Sequence, residues 1–343
     1  MHMVYPWWRL AVGLVVVVLI GVAALGIGSV NVPPLTTTKI LVDQIPFVEV
    51  EGDWPNGWNS IIWNIRFPRV VLAGLVGACL AIAGAAYQGL FRNPLAEPGL
   101  IGVSSGAALG ATVVLVTSVP FYVFGYSLLP IAAFAGGIVT VAVAYTVSRQ
   151  SNGVPLLTLI LAGVAIASLA TAVSSLLMIR SDPDVRPLLS WLLGGGLISS
   201  QWDDIYLLLP YLVVGALILL GYSRILNTFQ VNEEEAKQLG VNVEKTKIVL
   251  VVVATLITAA SVSVAGIVGF VGLIAPHAVR LIWGQDNRFL LPMAMLAGAG
   301  FMIAADLIGR TIANPSELPV GVVTSFCGAP FFLYLLRQRR VVL

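Results

Sequence analysis

Charged residues are scarce in this chain. Asp, Glu, Lys and Arg together make up 10% of its 343 residues, whereas soluble domains carry about 25%. Hydrophobic residues account for 58%, and the mean hydropathy is +0.97. These values exclude an ordinary soluble enzyme and a disordered chain. The net charge of +2 argues against a nucleic-acid-binding protein. We therefore predict an all-α polytopic membrane protein surrounded by lipid.

Cysteine and histidine are also rare. Cys79 and Cys327 lie in apolar runs and form no Cys-x-x-Cys pair, so both are expected to be small buried residues rather than parts of a metal or redox site. His277 has no second histidine nearby, which favours a structural hydrogen bond over a haem or metal ligand. We predict no catalytic residue, no metal site and no resident cofactor in this chain.

Long apolar runs dominate the rest of the sequence. A helix needs about 20 residues to cross the hydrocarbon core of a membrane. Ten candidate runs are separated by polar, Pro or Gly residues, and they are 10–29, 61–90, 100–118, 126–148, 156–179, 205–222, 248–264, 267–283, 290–310 and 320–336. Only Ala265 and Gly266 separate the seventh run from the eighth. We predict about ten transmembrane helices in a single membrane domain, 1–343.

The distribution of basic residues predicts the orientation. If the N-terminus is cytoplasmic and ten spans alternate, 12 Lys and Arg lie inside and 6 outside. The inside set is Arg9, Arg92, Arg149, Arg224, Lys237, Lys245, Lys247, Arg280, Arg288, Arg337, Arg339 and Arg340, and the outside set is Lys39, Arg66, Arg69, Arg180, Arg186 and Arg310. Because basic residues concentrate in cytoplasmic loops, we expect both termini in the cytoplasm.

The spans themselves contain few charges. Charged side chains within a membrane often mark ion or proton pathways. Here nearly every charge falls at the end of a run, and Asp306 lies about one turn from the outer end of the ninth run. A stand-alone secondary transporter is therefore disfavoured, although ion coordination by backbone carbonyls would leave no trace in the sequence. An intramembrane enzyme is a more remote alternative.

A phosphate-binding loop is also missing. Such a loop needs Gly-Lys followed by Ser or Thr, and none of the four lysines follows a glycine. If this protein is a pump, ATP and Mg²⁺ bind to another polypeptide. The cytoplasmic segment 225–247 is where such a motor could dock. Asn232 and Glu235 there resemble a capping box, and Gly240 suits a helix C-terminus. A helix of about two turns is predicted, although a plain solvated loop helix fits the composition equally well.

Five ordered blocks of sequence resemble one transporter family. They are Arg-Phe-Pro-Arg from Arg66; Gly-Ala-Ala-Tyr-Gln-Gly-Leu-Phe-Arg-Asn-Pro-Leu-Ala-Glu-Pro from Gly84; Leu226-Asn227 with Leu239-Gly240-Val241; Gly-Phe-Val-Gly-Leu-Ile-Ala-Pro-His from Gly269; and Glu-Leu-Pro-Val-Gly from Glu317 with Gly328-Ala-Pro. Together they resemble the permeases of bacterial ABC importers for iron chelates and cobalamin. The chain departs from that pattern at Asn287, often His in the family, and in a long first external loop, 32–60.

The resemblance implies a fold and a set of partners. The fold is that of a type II ABC importer permease of the inner (plasma) membrane. The partners are a second copy of the chain, two ATP-binding cassette subunits, and a periplasmic or lipid-anchored substrate-binding protein. The cargo implied is a metal chelate moved into the cytoplasm: a ferric siderophore first, then haem or cobalamin. The chain itself would not be an enzyme.

The resemblance also implies roles for individual residues. Docking of the binding protein is implied for Arg66, Arg69 and Arg310, whose planar guanidinium groups suit carboxylates; the alternative is arginines extending to the membrane interface. A cytoplasmic gate is implied for Asn93, Leu95, Asn152 and Gly153, where a helix stop and a simple connecting turn are the alternatives. Coupling to the ATPase within segment 225–247 is implied for Leu226, Asn227, Phe229, Glu233, Ala236, Leu239 and Gly240.

Overall fold

The computed structural model describes residues 7–48, 50, 52, 54–117, 122–123, 126–151, 153–180, 186–231 and 233–339. Its α-helices in chain order are α1 (Trp7–Gly26), α2 (Pro34–Asp43), α3 (Asn56–Ser60), α4 (Phe67–Leu90), α5 (Val103–Val116), α6 (Leu128–Ser148), α7 (Leu156–Arg180), α8 (Arg186–Leu192), α9 (Trp202–Gly221), α10 (Ser223–Val231), α11 (Glu233–Gln238), α12 (Val243–Ala265), α13 (Val271–Trp283), α14 (Asn287–Thr311) and α15 (Val320–Arg339).

Short elements complete the described chain. A π-helical turn, Ile61–Arg66, runs directly into α4, and 3₁₀ turns precede α5 and α9. Two strands of two residues each, β1 (Tyr122–Val123) and β2 (Tyr126–Ser127), pair antiparallel with Tyr122 opposite Ser127. Helix is therefore the dominant structure throughout the described residues.

All ten predicted runs are helical. Among the described residues, seven helices are long and apolar enough to cross a membrane, namely α1, the continuous helix Gly57–Leu90, α6, α7, α9, α12 and α14. Three shorter apolar helices, Val103–Val116, Val271–Trp283 and Val320–Leu335, account for the remaining runs. The prediction of an all-α polytopic protein with about ten membrane helices is confirmed.

Helix α4 forms the centre of the bundle. It packs against α14, α12, α13 and α9, and nearly all of its residues from Pro68 to Leu90 are buried. A Cβ atom on Gly77 would overlap the backbone of Gly298 in α14. Glycine is therefore required at this close approach of α4 and α14. Small residues commonly allow membrane helices to pack closely.

Contacts along α14 define the direction of the neighbouring helices. Gly13 of α1 lies beside Met293 near the start of α14, whereas Arg310 near its end donates a hydrogen bond to the Ala24 carbonyl. Helix α1 is therefore parallel to α14, and α15 begins beside the end of α14, where Leu318 bonds to Gly309. The described start of α1, at Trp7, and the described end of α15, at Arg339, thus lie at the end of the bundle that carries segment 225–247, as the expected cytoplasmic position of both termini requires.

Helix α13 begins in the middle of the bundle rather than at its external end. Gly272 lies against Leu80, halfway along α4, and against Pro98. Pro98 opens the 3₁₀ turn that leads into α5, so α5 also begins at this depth. Two interruptions of helical structure, 91–102 and 266–270, therefore meet beside α4.

These two interruptions correct the predicted extent of two spans. Helix α5 has 14 residues and α13 has 13, or about 20 Å at 1.5 Å per residue, which is less than the membrane core of about 30 Å. The runs 100–118 and 267–283 thus contain helices of about two thirds of the length that a full crossing needs. Irregular backbone at this depth is tolerated because surrounding protein, rather than lipid, covers it.

Candidate functional site: buried charges and the cytoplasmic coupling segment

A buried ionic cluster joins α4 to α14 near the external end. Arg69 in α4 donates from Nε to Asp306 Oδ1 at 3.0 Å and from Nη1 to Glu317 Oε2 at 2.7 Å. Arg310 Nε lies 3.1 Å from the other oxygen of Asp306. The Asp306 side chain is 2% exposed. One carboxylate is therefore shared by two guanidinium groups inside the protein.

Arg66 performs a different task at the same end. Its guanidinium donates to the carbonyls of Leu25 at 2.7 Å, Gly26 at 3.1 Å and Val30 at 2.6 Å. The carbonyls at a helix C-terminus lack partners within the helix, so Arg66 satisfies those that end α1. Arg66 lies far from these carbonyls in the sequence, and it reaches them only because α1 packs against α4.

The three arginines predicted to dock a binding protein are thus engaged within the chain. Arg66, Arg69 and Arg310 are 5%, 6% and 8% exposed. These three side chains therefore do not form an open basic socket at the external end. A docking role for them remains a prediction, and Glu317 is the more exposed partner of the cluster, with 37% of its side chain accessible.

Sequence reasoning missed a second intramembrane carboxylate. Glu97 Oε1 accepts a hydrogen bond of 2.6 Å from the backbone N–H of Phe270, which immediately precedes α13. Nearby, Arg280 donates to Gln88 Oε1 at 2.9 Å, and Gln88 Nε2 donates to the Gly272 carbonyl at 3.2 Å. The statement that charges fall at the ends of the runs therefore did not reveal Glu97, because it lies in the interruption 91–102, where no helical periodicity marks it.

The gate prediction falls on two connecting turns at the cytoplasmic end. After α4, Asn93 Oδ1 accepts a 3.0 Å hydrogen bond from the Leu95 N–H, so Asn93 stabilises its own turn. Asn93 is exposed and Leu95 is half-buried. Gly153 lies in the turn between α6 and α7, and Asn152 falls outside the described residues. The gate role of all four remains a prediction.

The coupling segment folds as two short helices, α10 and α11. Gly240 adopts a left-handed conformation, with φ of 81°, and the Val241 N–H bonds to the Ala236 carbonyl at 3.0 Å. This arrangement confirms Gly240 as the C-terminal cap of a helix of about two turns. Asn232, the predicted N-terminal cap, lies outside the described residues, whereas Glu233 begins α11.

Most apolar side chains of this segment point inward. Phe229 and Ala236 are 1% and 0% exposed and pack with Val243 in a small core, while Leu226 is fully buried against Gly89 of α4. Leu226, Phe229 and Ala236 are therefore covered within the chain itself, and their role in coupling to the ATPase remains a prediction. These buried side chains stabilise the segment, because helices as short as α10 and α11 are not stable in water without packing.

Leu239 is the exception, with 70% of its surface exposed at the end of α11. Its neighbours Glu234, Glu235, Lys237 and Gln238 are also exposed. Among the residues of the segment whose burial the structure describes, Leu239 is thus an exposed apolar side chain surrounded by polar ones on the cytoplasmic side. This is the part of the predicted coupling surface that a partner could reach.

Asn227 fastens the segment to the turn between α13 and α14. Its Nδ2 donates to Asp286 Oδ1 at 2.7 Å, and its Oδ1 accepts from the Asn287 N–H at 2.8 Å. Arg288 binds the same carboxylate, with Nη2 at 2.6 Å from Oδ2. The Arg288 hydrogen bond lowers the pKa of Asp286 from 3.8 to about 2, against an opposing effect of burial. The carboxylate is therefore ionised at any physiological pH.

A groove opens on the outer face of α7. It measures about 570 Å³ and is lined partly by the hydroxyl-bearing residues Ser105, Ser168, Thr171 and Ser175. About half of α7 is exposed, and Ser168, Thr171 and Ser175 donate their hydroxyl hydrogens to carbonyls one turn earlier in the same helix. Their oxygens line the groove, so this face of α7 is a weakly polar candidate wall of a solute path.

Metal-binding groups were sought throughout the described residues. They contain no cluster of three or more His, Cys, Asp or Glu side chains that could hold a metal ion. Cys79 is buried as expected, but Cys327 in α15 is exposed, which corrects the prediction for that residue. The ring of His277 meets that of Phe331 edge to face, with centroids 5.9 Å apart.

A family model named FecCD transport family matches residues 14–338. The chain belongs to this family. The match spans every membrane helix and the coupling segment, so it confirms the resemblance drawn from the five sequence blocks. Because the family describes transport proteins and the helices are apolar, the chain is a membrane-embedded transport protein.

Two relatives and one solved structure place this FecCD member more closely. It is 48% identical to the cobalamin import system permease protein BtuC of Halobacterium salinarum over 84% of this chain and 76% of that protein. It is 39% identical to the hemin transport system permease protein HmuU of Yersinia pestis, covering 97% and 96%. A metal-chelate type ABC transporter in an inward-facing conformation matches with TM-score 0.82 and 31% identity, covering 97% of this chain and all of the other, 100%. The type II importer permease fold is confirmed.

Proposed function

We propose that this FecCD member is the permease subunit of an ABC importer that moves a metal chelate into the cytoplasm. Two copies form the pore, two ATP-binding cassette subunits bind to the cytoplasmic side, and a periplasmic or lipid-anchored binding protein delivers the cargo. The membrane is the plasma membrane, which is called the inner membrane in bacteria that also have an outer membrane. ATP and Mg²⁺ bind only to the partner subunits.

The coupling segment is the observation that carries this proposal. It exposes Leu239 on the cytoplasmic side while its opposite face is buried against α4 and bonded to Asp286. A segment that only connected two spans would need neither its own core nor side-chain bonds to a distant turn. Such a rigid projection suits a partner that pushes on it.

The solute path is proposed to lie between two copies, with the hydroxyl-lined face of α7 along it. Serine and threonine oxygens there offer acceptors without fixed charge, while the hydroxyl hydrogens of Ser168, Thr171 and Ser175 are donated to carbonyls of α7. A wall of this kind binds a bulky chelate weakly and lets it pass, so selection is left to the binding protein.

A ferric siderophore is the first proposed cargo. Haem and cobalamin are second candidates, and the two relatives named for hemin and cobalamin import favour them. These cargoes share a metal held in a large organic chelator, so one transport path can serve the class. The binding protein would then decide between them.

Reconstitution tests the proposal. The permease is assembled in proteoliposomes with its ATP-binding cassette and binding proteins, and uptake of a ferric siderophore, haem and cobalamin is measured separately. We expect uptake of one of them to require ATP, to stop with vanadate and to persist with an uncoupler. Uptake that stops with the uncoupler and ignores vanadate would indicate a secondary transporter instead.

A further inference from the structure

One carboxylate links the end of the coupling segment to the turn between α6 and α7. Glu244, in the first turn of α12, accepts a 3.2 Å hydrogen bond at Oε2 from the backbone N–H of Val154. Its other oxygen, Oε1, lies 3.3 Å from Nζ of Lys247. Lys247 is 6% exposed, so a buried ammonium group holds the carboxylate from the other side.

The turn that Glu244 holds is tightly closed. Gln150 and Gly153 exchange two backbone hydrogen bonds, of 2.9 and 3.2 Å. Gly153 has a φ of 110°, and a Cβ atom there would overlap the Glu244 carboxylate. The backbone conformation favours glycine at this position. A methyl group there would displace the flexible Glu244 carboxylate, so the contact depends on the absence of a side chain at position 153.

Glu244 is attached to the core of the coupling segment. The preceding residue, Val243, is 2% exposed and packs on Phe229 and Ala236 in the core of α10 and α11. On the receiving side, α7 begins at Leu156, two residues after Val154. A displacement of the coupling segment therefore reaches α7 through a short chain of contacts, and α7 carries the hydroxyl-lined groove.

We propose that Glu244 is a positioning residue that transmits ATP-driven movement of segment 225–247 to the α6–α7 turn and so to α7. This inference rests on the proposed function, because it needs a motor acting on the segment. Asn227 attaches the same segment to α14, so the two side chains divide the output of one coupling surface between two membrane helices.

Substitution of Glu244 tests the inference in the complete reconstituted importer. Glu244→Ala removes the acceptor, and Glu244→Gln keeps an acceptor for Val154 while losing the charge that pairs with Lys247. Asp203→Ala is the matched control, since Asp203 is an exposed acidic residue in the first turn of α9. ATP hydrolysis, cargo uptake and thiol labelling at Ser151→Cys, in a Cys327→Ala background, are measured for each variant.

We expect Glu244→Ala to retain ATP hydrolysis while the uptake per ATP falls about tenfold. A factor of this size is typical of the coupling between two sites in a protein. Labelling at position 151 should change with vanadate trapping in the unsubstituted importer and stop changing in Glu244→Ala. Glu244→Gln should recover most of the coupling, and Asp203→Ala should match the unsubstituted protein.

Uptake per ATP that is unchanged in Glu244→Ala would overturn the inference. If that variant fails to assemble, Gly153→Ala provides a second test, because its methyl group displaces the Glu244 carboxylate from the side of the α6–α7 turn. Uptake per ATP that is unchanged in Gly153→Ala would also overturn the inference. Failure of the proposed function is distinguishable, since it would appear as absent ATP-driven uptake in the unsubstituted importer.

Discussion

Asn227 and Asp286 are joined by a 2.7 Å hydrogen bond that connects the cytoplasmic coupling segment to the start of α14. The two residues are far apart in sequence, and Asp286 also receives Arg288. The bond therefore ties a surface projection to a membrane helix at one defined point. The first prediction concerns this tie.

Replacing Asp286 with Asn should loosen the tie and lower the melting temperature of the purified protein. The folded pKa of Asp286 is lowered to about 2, so its contribution to stability is present above the unfolded pKa of 3.8 and is lost as the pH falls through these two values. The difference in melting temperature should be constant above about pH 5 and shrink below about pH 4. A difference that grows on acidification would contradict this assignment.

The buried cluster around Asp306 predicts a large loss of stability. Asp306→Ala leaves the guanidinium groups of Arg69 and Arg310 buried without their shared carboxylate, which costs about 3–5 kcal/mol. Thermal unfolding in detergent measures the effect. Glu317→Gln is the matched control, because the Glu317 side chain is 37% exposed and glutamine keeps an acceptor for Arg69, so its loss of stability should be smaller. Equal effects of the two variants would refute a buried cluster.

Binding-protein docking can be separated from this structural role. The double variant Arg66→Glu with Arg69→Glu should lose docking of the binding protein and substrate-stimulated uptake. Because both side chains are buried, the same variant should also unfold at a lower temperature. Docking is measured below that temperature on purified complexes, and normal binding there would exclude the docking role.

Within the coupling segment, two substitutions should behave differently. Leu239→Asp changes an exposed side chain, so the folded permease should insert normally while ATP hydrolysis is uncoupled from uptake. Ala236→Arg places a charge in the core of the segment, where Ala236 is 0% exposed, and should disrupt α10 and α11 themselves. Limited proteolysis at 225–247 distinguishes the two; equal protease sensitivity would argue against the assigned burial.

The gate prediction is tested between the two copies of the permease. Cysteines at positions 93 and 152 should form cross-links whose yield depends on the nucleotide state of the partner ATPase. The natural Cys327 is exposed and is replaced by Ala in this experiment. Cross-linking that is the same with ATP, with vanadate and without nucleotide would exclude a gate at these turns.

Much of the architecture could be predicted from the order of residues. Lipid imposes a long apolar run on each crossing helix, so the spans at α1, α6 and α7 are visible as composition alone. The cap at Gly240 was likewise predictable, because a left-handed conformation has a local residue preference. Orientation followed from the basic residues of the loops, since these are local as well.

The interrupted helices were not predictable in the same way. Runs 100–118 and 267–283 are as apolar as true spans, yet α5 and α13 begin halfway through the bundle. Nothing local signals this, because the irregular backbone is satisfied by distant groups such as the Glu97 carboxylate. The burial of Leu226, Phe229 and Ala236 was not predictable for the same reason. The spacing of apolar residues along a helix shows which face is apolar, but not which part of the protein covers that face.

The sequence by itself determined the membrane class, the ten helices, the side of each terminus and the family, since each depends on composition, local pattern or ordered motifs. Only the tertiary structure decided that Arg66 and Arg69 are buried, that Asp306 is shared and that Glu244 reaches Val154. These are contacts between side chains separated by long stretches of chain. Their energies depend on distance and burial, which exist only once the helices have packed.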